Sequence, residues 1–157
     1  MIPKEIIVKS LRRAKEERGL RVAEPNNYLS EGHIRKADHN LIVMTDLNKL
    51  GHEDWVVISA YYAMYHSAMA VLAKIGLESK DHATTAAVLE YFFGVWKVKR
   101  ARETVQYGIS ISYKETNIVM KNTRDFVNKM KIVLNELDKN LIDTIRKNIK
   151  ELQDLAT

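Results

Sequence analysis

Apolar residues recur at intervals of three and four along most of this chain, the spacing that collects them on one side of an α-helix. Ile34, Ala37, Leu41, Met44 and Leu47 form one such series and predict a helix from about Ser30 to Leu50, ended by Gly51. The next helix is expected from about Asp54 to Ile75. It carries a seam of large residues, Trp55, Ile58, Tyr62, Tyr65, Met69 and Leu72. Beside that seam Ser59, Ala63, Ser67 and Ala70 form a stripe of small residues, which lets a neighbouring helix approach closely. A helix that is apolar on most sides belongs at the centre of a fold. Gly76 follows as a natural C-terminal stop.

Further series predict helices over about Asp81 to Val98, with Gly94 inside, and over residues 115–137, marked by Val119, Phe126, Met130, Val133 and Leu137. The tail repeats the pattern in Ile142, Ile145, Ile149, Leu152 and Ala156. At the other end Pro3 suits a first helical turn and Gly19 a last one, so a basic helix is expected over 3–19. The stretch ISISY, 109–113, alternates like a strand but is too short to found a sheet. The pattern therefore predicts an all-α fold. Its simplest form is a single domain built as an antiparallel up-and-down bundle with an extra helix at each end, 3–19 and about 139–156.

Composition narrows the chemistry. The 157 residues are 46% hydrophobic and 29% charged, as in an ordinary globular domain, and contain no cysteine. Thiol catalysis and cysteine zinc sites are excluded, and a reducing, cytoplasmic setting is the expectation. The charged N-terminus does not read as a secretory signal, and no apolar run approaches the roughly 18 residues of a membrane span. The net charge is +5. Residues 1–21 hold seven Lys/Arg against three Glu, and a second basic cluster comprises Lys97, Lys99, Arg100 and Arg102. Such clusters attract phosphates, or simply form a solvated helix face.

No motif carries a reaction by itself. The chain has no Walker-type glycine loop and no H-E-x-x-H. His33 and His39 fall on different sides of a helix, and His52-Glu53-Asp54 reads as a helix start with acids at its positive end. No metal site and no cofactor is expected. His66, on the face of Ala63 and Ala70, reads first as a hydrogen-bonded core residue. Tyr62, Tyr65 and the alanines around them read as core packing.

Two stretches together carry a resemblance. SAYYAMYHSAMAVLAKIGLESKDH, 59–82, combines the segment Ala60 to His66 with Gly76 and the turn Lys80-Asp81-His82. RETVQYG and YKETNIVMKNTRDFVNKMKIVL follow it. Over about 30–137 this pattern resembles the HEPN family, the higher-eukaryote and prokaryote nucleotide-binding domains, in its small prokaryotic branch. The resemblance implies a bundle of four to five helices, core about 30–137, that dimerises around a cleft. It also implies RNA or nucleotide as ligand and a minimal nucleotidyltransferase as partner, in a system of toxin-antitoxin type.

Many members of that family are metal-independent ribonucleases with an Arg-x4–6-His motif. Here the fifth residue after Arg102 is Tyr107, and no histidine follows His82. A tyrosine with its usual pKa of about 10 is a poor base at neutral pH, though it can donate a hydrogen bond to phosphate. The first expectation is therefore a nucleotide- or RNA-binding partner module, with Lys97, Lys99, Arg100 and Arg102 as its phosphate-binding residues and Tyr61, His66 and His82 in its cleft. A ribonuclease using Arg102 and Tyr107 is the alternative, with His66 or His82 as the substitute base. A purely structural helical dimer is the third reading.

Overall fold

The computed structural model describes residues 2–13, 19–95 and 113–157. The elements are α1 (Pro3–Arg12), β1 (Leu20–Val22), α2 (Asn27–Lys49), α3 (Glu53–Ile75), β2 (Leu77–Ser79), α4 (His82–Phe93), α5 (Tyr113–Glu136) and α6 (Lys139–Asp154). The all-α expectation holds: six helices make up nearly all the described regular structure, beside one small two-stranded sheet.

The α2–α3 hairpin is the frame. Asn26 caps α2 by accepting a hydrogen bond from the Leu29 amide at 2.8 Å. Gly51, at φ 77°, lets the chain reverse between the helices. Partners then lie at equal distances from Leu50, beside that glycine: Met44 packs with Val56, Ala37 with Ala63, and the Ser30 hydroxyl donates to the Ala70 carbonyl at 2.8 Å. The small-residue stripe explains how close this packing is. Ser59, Ala63, Ser67 and Ala70 are all buried, and Val127 of α5 closes on Ala37 and Ala63 from the third side.

The C-terminal half of α3 enters the main core. Leu72 and Ile75 pack there with Ile7 and Leu11 of α1, Val88 and Leu89 of α4, Met130 and Val133 of α5, and Ile145, Ile149 and Leu152 of α6. Full burial of each large aliphatic chain contributes about 1.5–3 kcal/mol. The seam of α6 is thus spent on this core. By length and composition α3 could cross a bilayer, its best 18-residue window having a mean hydropathy of 1.4, which corrects the expectation that no such segment exists. Yet 72% of that window is buried inside the protein, as befits a central helix.

Four other expectations are corrected. The seam of large residues on α3 is core only at its C-terminal end. Trp55 is 57% exposed and Tyr62 47%, because α2 and α5 pack on the small stripe and leave the N-terminal aromatic face open. The basic N-terminal helix ends at Arg12 instead of Gly19, and Leu20–Val22 turns into a strand. The helix expected over Asp81 to Val98 stops at Phe93, where Gly94 takes the left-handed conformation at φ 61°. The sheet forms between β1 and β2, where no strand was expected, with Arg21 opposite Glu78 in a side-chain ion pair. ISIS, 109–112, lies outside the described residues.

The junction after α3 is closely packed. Gly76 ends the helix at φ 76°, and a Cβ there would meet Arg146 Nη1 at 2.2 Å, the Ala23 carbonyl oxygen at 2.6 Å and the Pro25 nitrogen at 2.8 Å. Only glycine fits. Arg146 itself donates to the carbonyls of Ala23 at 2.9 Å and Ile75 at 3.1 Å, satisfying acceptors at a helix end. This lock fixes where β2 starts, and so where the turn Lys80-Asp81-His82 lies.

Candidate functional site

Six aromatic rings converge on one face of the hairpin. Tyr61 and Tyr65 are one helical turn apart on α3, as are Tyr62 and His66 on the adjoining stripe. Each pair lies nearly parallel, with centroids 6.2 Å apart at 19° and 6.3 Å apart at 27° respectively. His33 of α2 continues the second row beyond His66, 5.3 Å away at 29°. His82, the first residue of α4, meets the first row edge-on, 5.5 Å from Tyr61 and 5.9 Å from Tyr65. Edge-to-face contacts of this kind suit the ring quadrupoles.

Asp81 sets the position of His82. Its carboxylate caps α4, accepting from the Thr84 amide at 2.7 Å and the Thr84 hydroxyl at 2.5 Å. Thr84 Oγ1 also lies 2.8 Å from Ser10 Oγ, which ties the cap to α1. Ser79 and Thr85 both donate hydroxyl hydrogen bonds to the Asp81 carbonyl, at 2.9 and 3.0 Å. The His82 ring is thereby carried on a fixed turn, and its Nε2 lies 2.7 Å from the Tyr61 hydroxyl.

Tyr61, Tyr62 and Tyr65 of α3 and the segment Ser79–His82 with Thr85 line a hollow of about 260 Å³. Its chemistry is that of a stacking site: flat apolar ring faces, phenol and imidazole hydrogen-bonding edges, and the exposed Lys80 at the rim. At the far end of the ring cluster Lys36 supplies a second exposed cation close enough to act on His33 and His66.

His33 and His66 face each other with their Nδ1 atoms 3.0 Å apart. Burial holds the pKa of His33 below its ordinary value, and the Lys36 charge lowers it further. His66 is lowered by burial first, then by His33, then by Lys36. Both shifts favour the neutral rings, and between neutral rings the 3.0 Å contact is a hydrogen bond in which one Nδ1–H donates to the other Nδ1.

Of the sequence-derived site residues, the structure brings Tyr61, His66 and His82 into one cluster. Lys97, Lys99, Arg100, Arg102 and Tyr107 lie outside the described residues. Tyr62, read as core, is instead an exposed wall of the hollow. His33 was missed as a partner of His66. The sequence holds only a partial signal, since the two lie at nearly matching distances on either side of Leu50. Among the described residues no group of three or more His, Asp or Glu is placed to hold a metal ion.

No curated protein and no solved structure matches the chain. Residues 30–157 match the HEPN domain, a span that includes α6, which the resemblance read from the sequence had left out. A match of that extent, over the hairpin, the ring cluster and the helices that hold them, places the chain in the HEPN domain family.

Proposed function

We propose that this protein is an RNA- or nucleotide-binding module whose ligand stacks on the Tyr61–Tyr62–Tyr65 face beside His82. The observation that carries the reading is the six-ring cluster with a lysine at each end, on an exposed face of an otherwise apolar helix. Stacking on aromatic rings is worth about 1–3 kcal/mol per base and tolerates any base, while Lys36 and Lys80 attract the backbone. The net charge of +5 favours a polyanion. In this reading the basic cluster Lys97, Lys99, Arg100 and Arg102 adds phosphate contacts. The protein works as a cytoplasmic homodimer and as the partner of a minimal nucleotidyltransferase, in a system of toxin-antitoxin type.

The 2.7 Å contact between Tyr61 and His82 favours a second reading, metal-independent RNA cleavage. An imidazole can take the proton of a 2′-hydroxyl, and Arg102 and Tyr107 would stabilise the charge developing on the phosphate. One experiment separates the two. Labelled single-stranded RNA is incubated with purified protein in EDTA, and both anisotropy and product size are followed. Binding without cleavage supports the module, cleavage supports the ribonuclease, and neither leaves the third reading, a structural helical dimer.

A further inference from the structure

We propose that His33 and His66 form a chelating pair for one divalent transition-metal ion of right-angled coordination preference, Ni²⁺ or Cu²⁺, with water completing its shell. The two Nδ1 atoms come from neighbouring helices and stand 3.0 Å apart. Metal–imidazole bonds of about 2.0–2.1 Å to both would meet at roughly 95°. That angle matches square-planar and octahedral ions and falls short of the tetrahedral angle that zinc prefers. The backbone presets this bite. The Ser30–Ala70 hydrogen bond and the Ala37–Ala63 contact hold α2 against α3 on either side of the pair.

Neutral imidazole is the ligating form of histidine. In the ion-free pair the ring centroids are 5.3 Å apart, so the nitrogens point head to head and share one hydrogen-bonding proton. On ion binding that proton passes to Nε2 of the same ring, and small coupled changes of χ1 and χ2 swing the lone pairs toward the ion while the two Nδ1 atoms keep their 3.0 Å separation. A neutral pair therefore loses no proton, and no electron is transferred. Both residues are only partly buried, which leaves water access to the remaining positions. The Lys36 charge opposes the ion and weakens the site.

The test is calorimetric titration of NiCl₂ into chelator-stripped protein at pH 7.5. One ion per chain is expected. His33→Gln and His66→Gln should each weaken binding at least about tenfold, because one ligand loses the effective concentration of two. His39→Gln and His52→Gln should leave it unchanged. The unaltered protein provides a check that needs no variant: substoichiometric CuCl₂ should broaden the ring NMR signals of His33 and His66 before those of His39, His52 and His82. Absence of Ni²⁺ binding, affinity unaltered in both pair variants, or broadening centred on another histidine overturns the proposal.

Discussion

The Tyr61 hydroxyl stands 2.7 Å from Nε2 of His82, joining the central helix to the first residue of α4 across a hollow they both line. Such a bond between partly exposed groups contributes about 0.5–1.5 kcal/mol, so Tyr61→Phe should leave the protein folded with only a modest fall in melting temperature. The bond orients His82 toward the hollow. Tyr61→Phe and His82→Gln should therefore each weaken RNA binding by more than they lower stability. Anisotropy titrations beside thermal melts would show it, and binding unaltered in both variants would remove these two residues from the site.

Tyr62 offers a cleaner probe, because 47% of it is exposed and its loss opens no large cavity. If bases stack on this face, Tyr62→Ala should cost about 1–3 kcal/mol of RNA affinity, roughly 5- to 150-fold. Tyr62→Phe should bind nearly as well as the unaltered protein, since the ring face and not the hydroxyl does the stacking. Equal losses in the two variants would contradict a stacking role.

Gly76 governs the geometry of the same site from below. Its positive φ, and the three atoms that a methyl carbon added there would meet within 3 Å, leave no room for a side chain. Gly76→Ala should destabilise the fold by about 2 kcal/mol or more, through backbone strain and displacement of Arg146. Arg146→Ala should cost less, about 1 kcal/mol, by removing the hydrogen bonds to the Ala23 and Ile75 carbonyls. Chemical denaturation of the two variants measures the order.

The hairpin was legible because each of its determinants is local: the three-four spacing, Gly51 at the turn and the small stripe on α3. Tyr62 was misread for the opposite reason. Apolar residues at helical spacing announce a face that could be buried, but which of two adjoining faces is buried depends on what packs there. Here Ala37 and Val127 chose the alanines. The β1–β2 pairing joins residues 20–22 to 77–79, a contact between distant segments that no local pattern encodes. The site divides in the same way. Tyr61, His66 and His82 stood out within one motif, whereas His33 becomes visible only when the hairpin is folded.

The His33–His66 pair also makes stability depend on pH. Both pKa values are depressed in the fold, so the folded protein binds protons less readily than the unfolded chain. Above the ordinary histidine value, near 6.5, neither state is protonated and the pair adds no pH dependence. Below it the unfolded chain takes up protons first, so stability falls until the pH passes the folded values. Lys36 on α2 acts on both rings, and Tyr62 and Tyr65 on α3 lie against His66. In EDTA-containing buffer, melting temperatures should be level above pH 7 and decline below about 6.5, and His33→Gln should flatten that decline. An equal slope in the variant would assign the effect to other groups.

Arg102 provides the sharpest test of what the family likeness implies. A guanidinium offers phosphate a planar, two-pronged hydrogen-bonding fork, and Lys97, Lys99 and Arg100 beside it in sequence add steering charge. If the residue acts on phosphate, Arg102→Ala should weaken RNA binding or cleavage while changing stability by about 0.5 kcal/mol or less, as a surface arginine does. Arg102→Lys should recover only part of the loss, because a point charge replaces the fork. The salt dependence carries a further signature. Each phosphate contact removed should lower the slope of log affinity against log salt by about one. Tyr62→Ala, which removes stacking alone, should leave that slope unaltered, so the two variants together separate charge from stacking. Unfolding of Arg102→Ala would instead mark a structural ion-pair residue. Unaltered stability and unaltered RNA binding would show that the family's arginine site does not carry over to this chain.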